Sequence, residues 1–62
     1  MEIKVGIVHG AREIIVETEE TAASVETAFS KAVDDDSVLT LTDDRGRKVL
    51  IPASRIAYLE LG

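Results

Sequence analysis

The side chains best suited to bind a ligand are four bases in the C-terminal half of the chain: Arg45, Arg47, Lys48 and Arg55. Three of them belong to the segment TDDRGRKVLIP, residues 42–52, which also contains two aspartates and a glycine. Because arginine binds phosphate oxygens through paired hydrogen bonds, this set could hold a small anion such as a nucleotide. The competing interpretation is that the bases offset the acidic residues, within the chain or across a dimer.

The same segment also has the features of a tight hairpin turn between two strands. An aspartate that opens a type I turn caps backbone N–H groups, and a following glycine supplies a left-handed conformation. Pairing Asp43 with Arg47 brings the apolar side chains of the two strands onto one face: Leu39 with Ile51, and Leu41 with Val49. Turn geometry therefore explains these charged residues without any ligand.

No other residues form a pattern typical of catalysis or metal binding. His9 could be oriented by Glu13, but its position at a hairpin tip favours simple exposure to water. Asp34, Asp35 and Asp36 lack the alternating spacing of a calcium loop, and neither common glycine-rich phosphate loop is present. We therefore predict that the protein is not an enzyme and that it uses no metal and no cofactor.

Length and composition limit the class of protein further. The chain has 62 residues, enough for one domain spanning residues 1–62, and its formal net charge is −5. With no cysteine there can be no disulfide or thiolate zinc site, so a domain this small is expected to gain stability by association. The negative charge disfavours nucleic-acid binding, and no apolar run is long enough for a membrane span. A cytoplasmic protein is expected.

The hydrophobic periodicity predicts five strands and one helix. Period-two alternation predicts strands at residues 2–8 and 12–17, two more on either side of the second turn within residues 37–52, and a last one at residues 54–62, with a first turn at His9-Gly10. Period 3.6 predicts a helix over residues 21–33, capped by Thr21, whose apolar stripe consists of Val25, Ala28, Phe29, Ala32 and Val33. The fold class is thus α+β: a small, mostly antiparallel sheet in the order β-β-α-β-β-β, with the helix packed on one face.

One helix can cover one face of such a sheet, and apolar side chains remain for the other. The last strand is apolar on both sides, with Ile56 and Tyr58 on one and Ala57, Leu59 and Leu61 on the other. With Ile15, and with Val38 and Leu50 interpreted as cross-strand partners, this surplus suggests an interface. The predicted interface residues are Val38, Leu50, Ile56 and Tyr58. The alternative is that the sheet curls into a half-barrel and buries them.

Several segments of the sequence, in their order along the chain, resemble those of a known family. The stretches EIKVGI, LTLTDDRGRKVLIP and RIAYLELG are similar to those of short actinobacterial proteins classed as a domain of unknown function. The resemblance extends over most of the chain and is strongest from Leu39 to Gly62. It implies a cytosolic actinobacterial protein and assigns no site residues.

Taken together, these features favour a non-enzymatic interaction module. We expect a homodimer or small homo-oligomer, formed through the surplus apolar face or a sheet edge, that docks a protein partner. The alternative is binding of a small anion, such as a nucleotide, through the basic second hairpin.

Overall fold

The computed structural model describes residues 1–62 as one helix and five strands, which confirms the predicted α+β class and element order. A short 3-10 turn at Ala53–Arg55 precedes the last strand, where the sequence predicted strand from residue 54 onward. The elements are β1 (Glu2–Ile7), β2 (Glu13–Glu17), α1 (Ala22–Asp35), β3 (Val38–Thr42), β4 (Lys48–Pro52) and β5 (Ile56–Leu61).

The first hairpin has the predicted register, with Val5 opposite Ile14 and Ile3 opposite Val16. Its turn differs from the prediction in one respect: the positive φ falls on His9, at 61°, and not on Gly10. Gly10 leaves room at the turn instead, because a Cβ there would be tightly placed, 3.0 Å from the Cβ of Ile7.

The five strands form two antiparallel sheets, one of three strands in the order β2-β1-β5 and one made of the β3–β4 hairpin. The hairpin register is the predicted one, with Leu39 opposite Ile51. The expectation that Val38 and Leu50 face each other is wrong, because this register pairs Val38 with Pro52 and Leu50 with Thr40. Val38 and Leu50 are diagonal neighbours on one face of the hairpin, since positions two apart along a strand share a face.

Helix α1 begins at the predicted cap, where the Thr21 hydroxyl accepts a hydrogen bond of 3.1 Å from the Ser24 backbone N–H. It ends at Asp35, and the following C-cap residue, Asp36, adopts a left-handed conformation with φ 50°. The predicted apolar stripe is wider than the buried one: Val25 and Ala32 are buried and Phe29 is half-buried, whereas Ala28 and Val33 are exposed. The stripe is narrow because the helix packs mainly against β3 and the 3-10 turn.

The core lies between the two sheets and the helix, and each element contributes a few side chains. The three-stranded sheet supplies one face, the hairpin supplies another, and α1 and the 3-10 turn close the remaining side. The buried apolar residues are Ile3, Val5, Val16, Val25, Ala32, Leu39, Leu41, Ile51 and Ala53.

Strand β5 changes face at a bulge, which corrects the predicted placement of Ile56. Tyr58 pairs with Gly6 and Ile56 pairs with Ile7, so Ala57 has no partner on β1. An unpaired residue in an antiparallel strand shifts the alternation of the side chains by one position. Ile56 therefore packs against the core, and Tyr58 lies on the outer face without Ile56 beside it.

Candidate functional site

The turn of the second hairpin is held by the side chain of Asp43. One carboxylate oxygen accepts hydrogen bonds from the backbone N–H groups of Arg45, at 2.9 Å, and Arg47, at 2.8 Å. The other accepts a hydrogen bond of 2.6 Å from the guanidinium Nε of Arg47. Gly46 follows with φ 78°, as the turn prediction requires. Asp43, Gly46 and Arg47 are thus explained by the turn itself.

These contacts change the acidity of Asp43. Burial of the side chain, of which 8% is exposed, on its own raises the pKa of the carboxyl. The hydrogen bonds from the backbone and side chain of Arg47 and from the backbone of Arg45 outweigh that effect, so the pKa lies below its ordinary value. Asp43 is therefore a charged structural residue at neutral pH.

A groove of about 560 Å³ separates the turn of the second hairpin from strand β2. We call it the β2 groove, and it is lined by Ile14, Ile15, Val16, Glu17, Asp43, Asp44, Arg45, Arg47, Lys48 and Val49. Four of these residues are apolar, three are acids and three are bases. At one end it is closed by a hydrogen bond of 2.8 Å from the backbone N–H of Asp44 to the carbonyl of Glu17.

The backbone of β2 is unpaired along this groove. Met1 and Thr18 exchange two hydrogen bonds, of 2.8 and 3.0 Å, at the start of the β1–β2 ladder. Such pairs alternate along an antiparallel ladder, so Val16 is bonded to Ile3 and the N–H and C=O of Ile15 point away from β1. Because β2 is an edge strand, these two groups face the groove.

The four predicted anion-binding residues do not form one cluster. Arg45, Arg47 and Lys48 line the β2 groove, and the Lys48 ammonium donates a hydrogen bond of 3.2 Å to the Thr42 hydroxyl. Strand β4 is about 13 Å long from Lys48 to Pro52 by the usual rise per residue, and Arg55 lies beyond its far end. Its carbonyl accepts a hydrogen bond of 2.8 Å from the backbone N–H of Val8, near the first hairpin turn.

The predicted interface residues also fall in different places. Val38 is 47% exposed and Leu50 is 62% exposed on the outer face of the second hairpin. Ile56 packs against the core, and Tyr58 lies on the outer face of the three-stranded sheet, where Ile15 is exposed as well. The exposure of Val38, Leu50 and Ile15 rules out the half-barrel alternative, in which they were to be buried.

Tyr58 is fixed in place by Gly6 and Glu13, neither of which the sequence had linked to it. Its ring covers Gly6, where a Cβ would overlap the ring carbons. Its hydroxyl donates a short hydrogen bond to the carboxylate of Glu13. That hydrogen bond, then burial and the charges of Glu13 and Glu60, raise the pKa of Tyr58 above its ordinary value. A glycine directly opposite an aromatic residue is a recurrent cross-strand arrangement in sheets, and here it can be recognised only once the β1–β5 register is known.

The remaining candidates have no ligand geometry. His9 is exposed at the first turn, and Glu13 accepts its side-chain hydrogen bond from Tyr58. No group of three or more histidine, cysteine, aspartate or glutamate side chains is close enough to hold a metal ion. No helix of the chain combines the length and apolar character needed to cross a membrane.

The fold and the site define a small α+β domain with unpaired strand edges and a groove of mixed charge. The chain belongs to the family described as Protein of unknown function (DUF3107), whose model matches residues 1–62. This confirms the resemblance to a domain of unknown function, and the actinobacterial origin stays a prediction. No curated protein matches the chain.

Proposed function

We propose that this domain is a non-enzymatic, cytosolic protein-interaction module that associates with copies of itself and docks a protein partner. The β2 groove is the observation that carries the docking part of the proposal. It combines an unpaired strand edge with four apolar lining residues, and this combination suits a peptide that adds a strand to a sheet. Exposed apolar side chains on both sheets support association more generally, with Leu50 the most exposed.

The partner that fits the β2 groove is an extended segment with alternating apolar and charged residues. Its backbone would pair with the N–H and C=O of Ile15, and its apolar side chains would lie on Ile14 and Val49. Basic residues of the segment would suit Glu17 on the β2 side. Acidic residues would suit Arg45 and Lys48 on the hairpin side.

The charges of the groove favour such a peptide over a small anion. The three bases Arg45, Arg47 and Lys48 are matched by three acids on the same walls, and Arg47 is already bound to Asp43. A phosphate placed there would be attracted and repelled by equal numbers of formal charges. A segment with both signs of charge would be matched on each wall.

A peptide-selection experiment with mapped binding tests the docking proposal. Extended peptides selected against the wild-type domain are titrated into isotope-labelled protein, and amide shifts are followed by NMR. We expect the largest shifts at Ile15, Arg45 and Lys48, and loss of binding in the Ile15→Arg variant. The matched control is Leu50→Arg, which is exposed but outside the groove. Unchanged binding by Ile15→Arg, or shifts confined to the opposite side of the domain, would contradict the proposal.

The alternative, binding of a small anion, needs a different variant from the one the sequence suggests. Arg47 is part of the turn, so reversing its charge would disturb the fold as well as any ligand. Arg45 contributes only its backbone N–H to the turn, which makes Arg45→Glu the better probe. Thermal stabilisation of the wild type by phosphate or a nucleotide, lost in Arg45→Glu, would favour the anion over the peptide.

A further inference from the structure

The outer edge of strand β5 is the least protected strand edge of the molecule. Glu2 and Gly62 exchange two backbone hydrogen bonds, of 3.3 and 3.1 Å, at the end of the β1–β5 ladder. By the alternation of an antiparallel ladder, the backbone groups of Glu60 then point toward β1. Those of Leu59 and Leu61 point the other way, where β5 has no neighbouring strand.

An apolar cavity lies beside this free edge. It has a volume of about 330 Å³ and is lined by Glu26 and Phe29 of α1 together with Leu59 and Leu61 of β5. Phe29, Leu59 and Leu61 are all half-buried and pack against the core. Unpaired backbone groups and partly exposed apolar side chains therefore occur together, which is the combination that pairs with another strand.

The edges of the second hairpin are protected in the ways that natural sheets use against edge pairing. On β3, the N–H of Thr42 donates to the Glu20 carboxylate at 3.2 Å, and its carbonyl accepts from the Thr18 hydroxyl at 2.7 Å. On β4, the backbone groups that face outward belong to Lys48, Leu50 and Pro52, so a charged residue and a proline flank the exposed Leu50. Lysine disfavours pairing by its charge, and proline has no N–H to donate.

Strand β2 is also a poor edge for pairing with a second copy of itself. Two-fold pairing centred on Ile15 would place Glu13 opposite Glu17 of the other copy, and Glu17 opposite its Glu13. Like charges directly opposite each other destabilise a sheet. The carbonyl of Glu17 is in addition already bonded to Asp44. The β2 edge is thus suited to a partner other than a second β2, whereas the β5 edge is suited to β5 of a second copy.

We infer that β5 pairs with β5 of a second copy, antiparallel and about a two-fold axis through Leu59, to give a continuous six-stranded sheet. This inference rests on the self-association proposed above and names the surface responsible for it. In this register Leu59 pairs with Leu59 of the second copy. Tyr58 of each copy pairs with Glu60 of the other. The leucines of both copies then lie beside the two cavities next to Phe29, where they exclude water from the partly exposed apolar surface.

Charge and the bulge select this register over its neighbours. A shift in one direction sets Glu60 opposite Glu60 of the second copy at a non-hydrogen-bonded position, where Cα atoms are about 4.5 Å apart. Two carboxylates at that spacing repel each other. A shift in the other direction sets Tyr58 opposite itself and moves the central hydrogen-bonded pairs onto Ala57, which is the bulged residue.

Disulfide trapping tests the surface and the register together, because the chain contains no cysteine. Three variants are compared under mild oxidation: Tyr58→Cys, Glu60→Cys and the double variant. Only the inferred register places residue 58 directly opposite residue 60 of the second copy, within the range of Cα distances that a disulfide spans. We expect most of the double variant to become a covalent dimer on a non-reducing gel and each single variant to stay monomeric.

Other outcomes overturn the inference in distinguishable ways. Efficient crosslinking of Glu60→Cys alone or Tyr58→Cys alone would show a different register. A wild-type dimer in light scattering without crosslinking of the double variant would place self-association on another surface. A wild-type monomer would remove self-association as well. If the double variant fails to fold, Leu59→Cys replaces it. In the inferred register, the Cα atoms of residue 59 in the two copies are about 5.5 Å apart.

Discussion

The second hairpin and the free edge of β5 differ in how their polar groups are used. In the hairpin turn, the Asp43 carboxylate accepts three hydrogen bonds from Arg45 and Arg47, and two backbone bonds join Asp43 to Gly46 and Arg47. Along β5, the backbone groups of Leu59 and Leu61 have no strand to pair with. The polar groups of the charged turn are therefore mostly hydrogen-bonded within the chain. The segment YLEL, residues 58–61, is the one that keeps unpaired backbone groups.

This difference separates residues that stabilise the domain from residues that would serve a partner. Variants of the second hairpin should lower the free energy of unfolding and leave association unchanged, apart from the effect of losing folded protein. Variants at the free edge of β5 should instead weaken association and leave the free energy of unfolding of the monomer nearly unchanged. Four experiments test this difference, beginning with the variant expected to change stability most.

The largest effect is expected from a cavity in the core side of the second hairpin. Leu41→Ala should lower the free energy of unfolding by about 2–5 kcal/mol, because Leu41 is 1% exposed and its removal leaves space that neighbours fill only partly. Urea denaturation at fixed protein concentration measures the change. Leu50→Ala, on the outer face of the same hairpin, is the matched control and should change it by less than about 0.5 kcal/mol. Equal losses in the two variants would contradict the assignment of faces.

A smaller loss is expected at the glycine of the turn. Gly46→Ala should destabilise the fold by about 1–2 kcal/mol, because a Cβ is unfavourable in the left-handed conformation that Gly46 adopts. Nothing lies within 4 Å of that Cβ, so the loss comes from backbone conformation alone. Gly62→Ala, which has no positive φ and equally open surroundings, serves as the control in the same denaturation experiment.

The Asp43 turn should also give the fold a measurable dependence on acidic pH. The pKa of Asp43 is lower in the folded chain than its ordinary value of 3.8, so the folded state favours the charged form. The resulting stability is present above the unfolded pKa and is lost as the pH falls through the folded pKa. Comparing unfolding of the wild type and Asp43→Asn as the pH is lowered through this range measures it. We expect the difference between them to shrink toward acid pH. A difference that stays constant would contradict the charged role of Asp43.

The smallest effect is a shift in the titration of the one tyrosine on β5. The hydrogen bond to Glu13 raises the pKa of Tyr58, so the stability from this contact is present below the unfolded pKa of about 10 and is lost as the pH rises through the folded pKa. Ultraviolet absorbance of the tyrosinate reports on Tyr58 alone, since the chain has one tyrosine. Glu13→Gln should lower this pKa toward its ordinary value. Lys4→Gln, on the same face, leaves the hydrogen bond in place and serves as the control.

Features set by short stretches of sequence were predicted correctly. The registers of both hairpins follow from apolar alternation on each side of a turn, and one slipped residue would expose the core face. The caps of the second turn and of the helix follow from the side chains of Asp43 and Thr21, which satisfy backbone groups close to them in the chain. Each of these features depends on one short continuous stretch of the chain, so the local sequence pattern contains the information.

Features that depend on distant parts of the chain were not predicted. The face of Ile56 was wrong because a bulge at Ala57 interrupts the alternation, and simple period-two patterns give no sign of a bulge. The separation of Arg55 from the other bases depends on where β4 ends relative to β1. The pairing of Tyr58 with Gly6 joins residues far apart in sequence, and it required the β1–β5 register.

Light scattering coupled to size-exclusion chromatography across a range of protein concentrations measures whether the domain pairs with a second copy through β5. The account predicts that the wild type approaches twice the 6.7 kDa chain mass as concentration rises. Arg45→Glu, in the β2 groove, should behave like the wild type, and Leu59→Arg should remain monomeric while circular dichroism shows it folded. A wild type that stays at the monomer mass throughout, or a folded Leu59→Arg variant that still dimerises, would contradict the account.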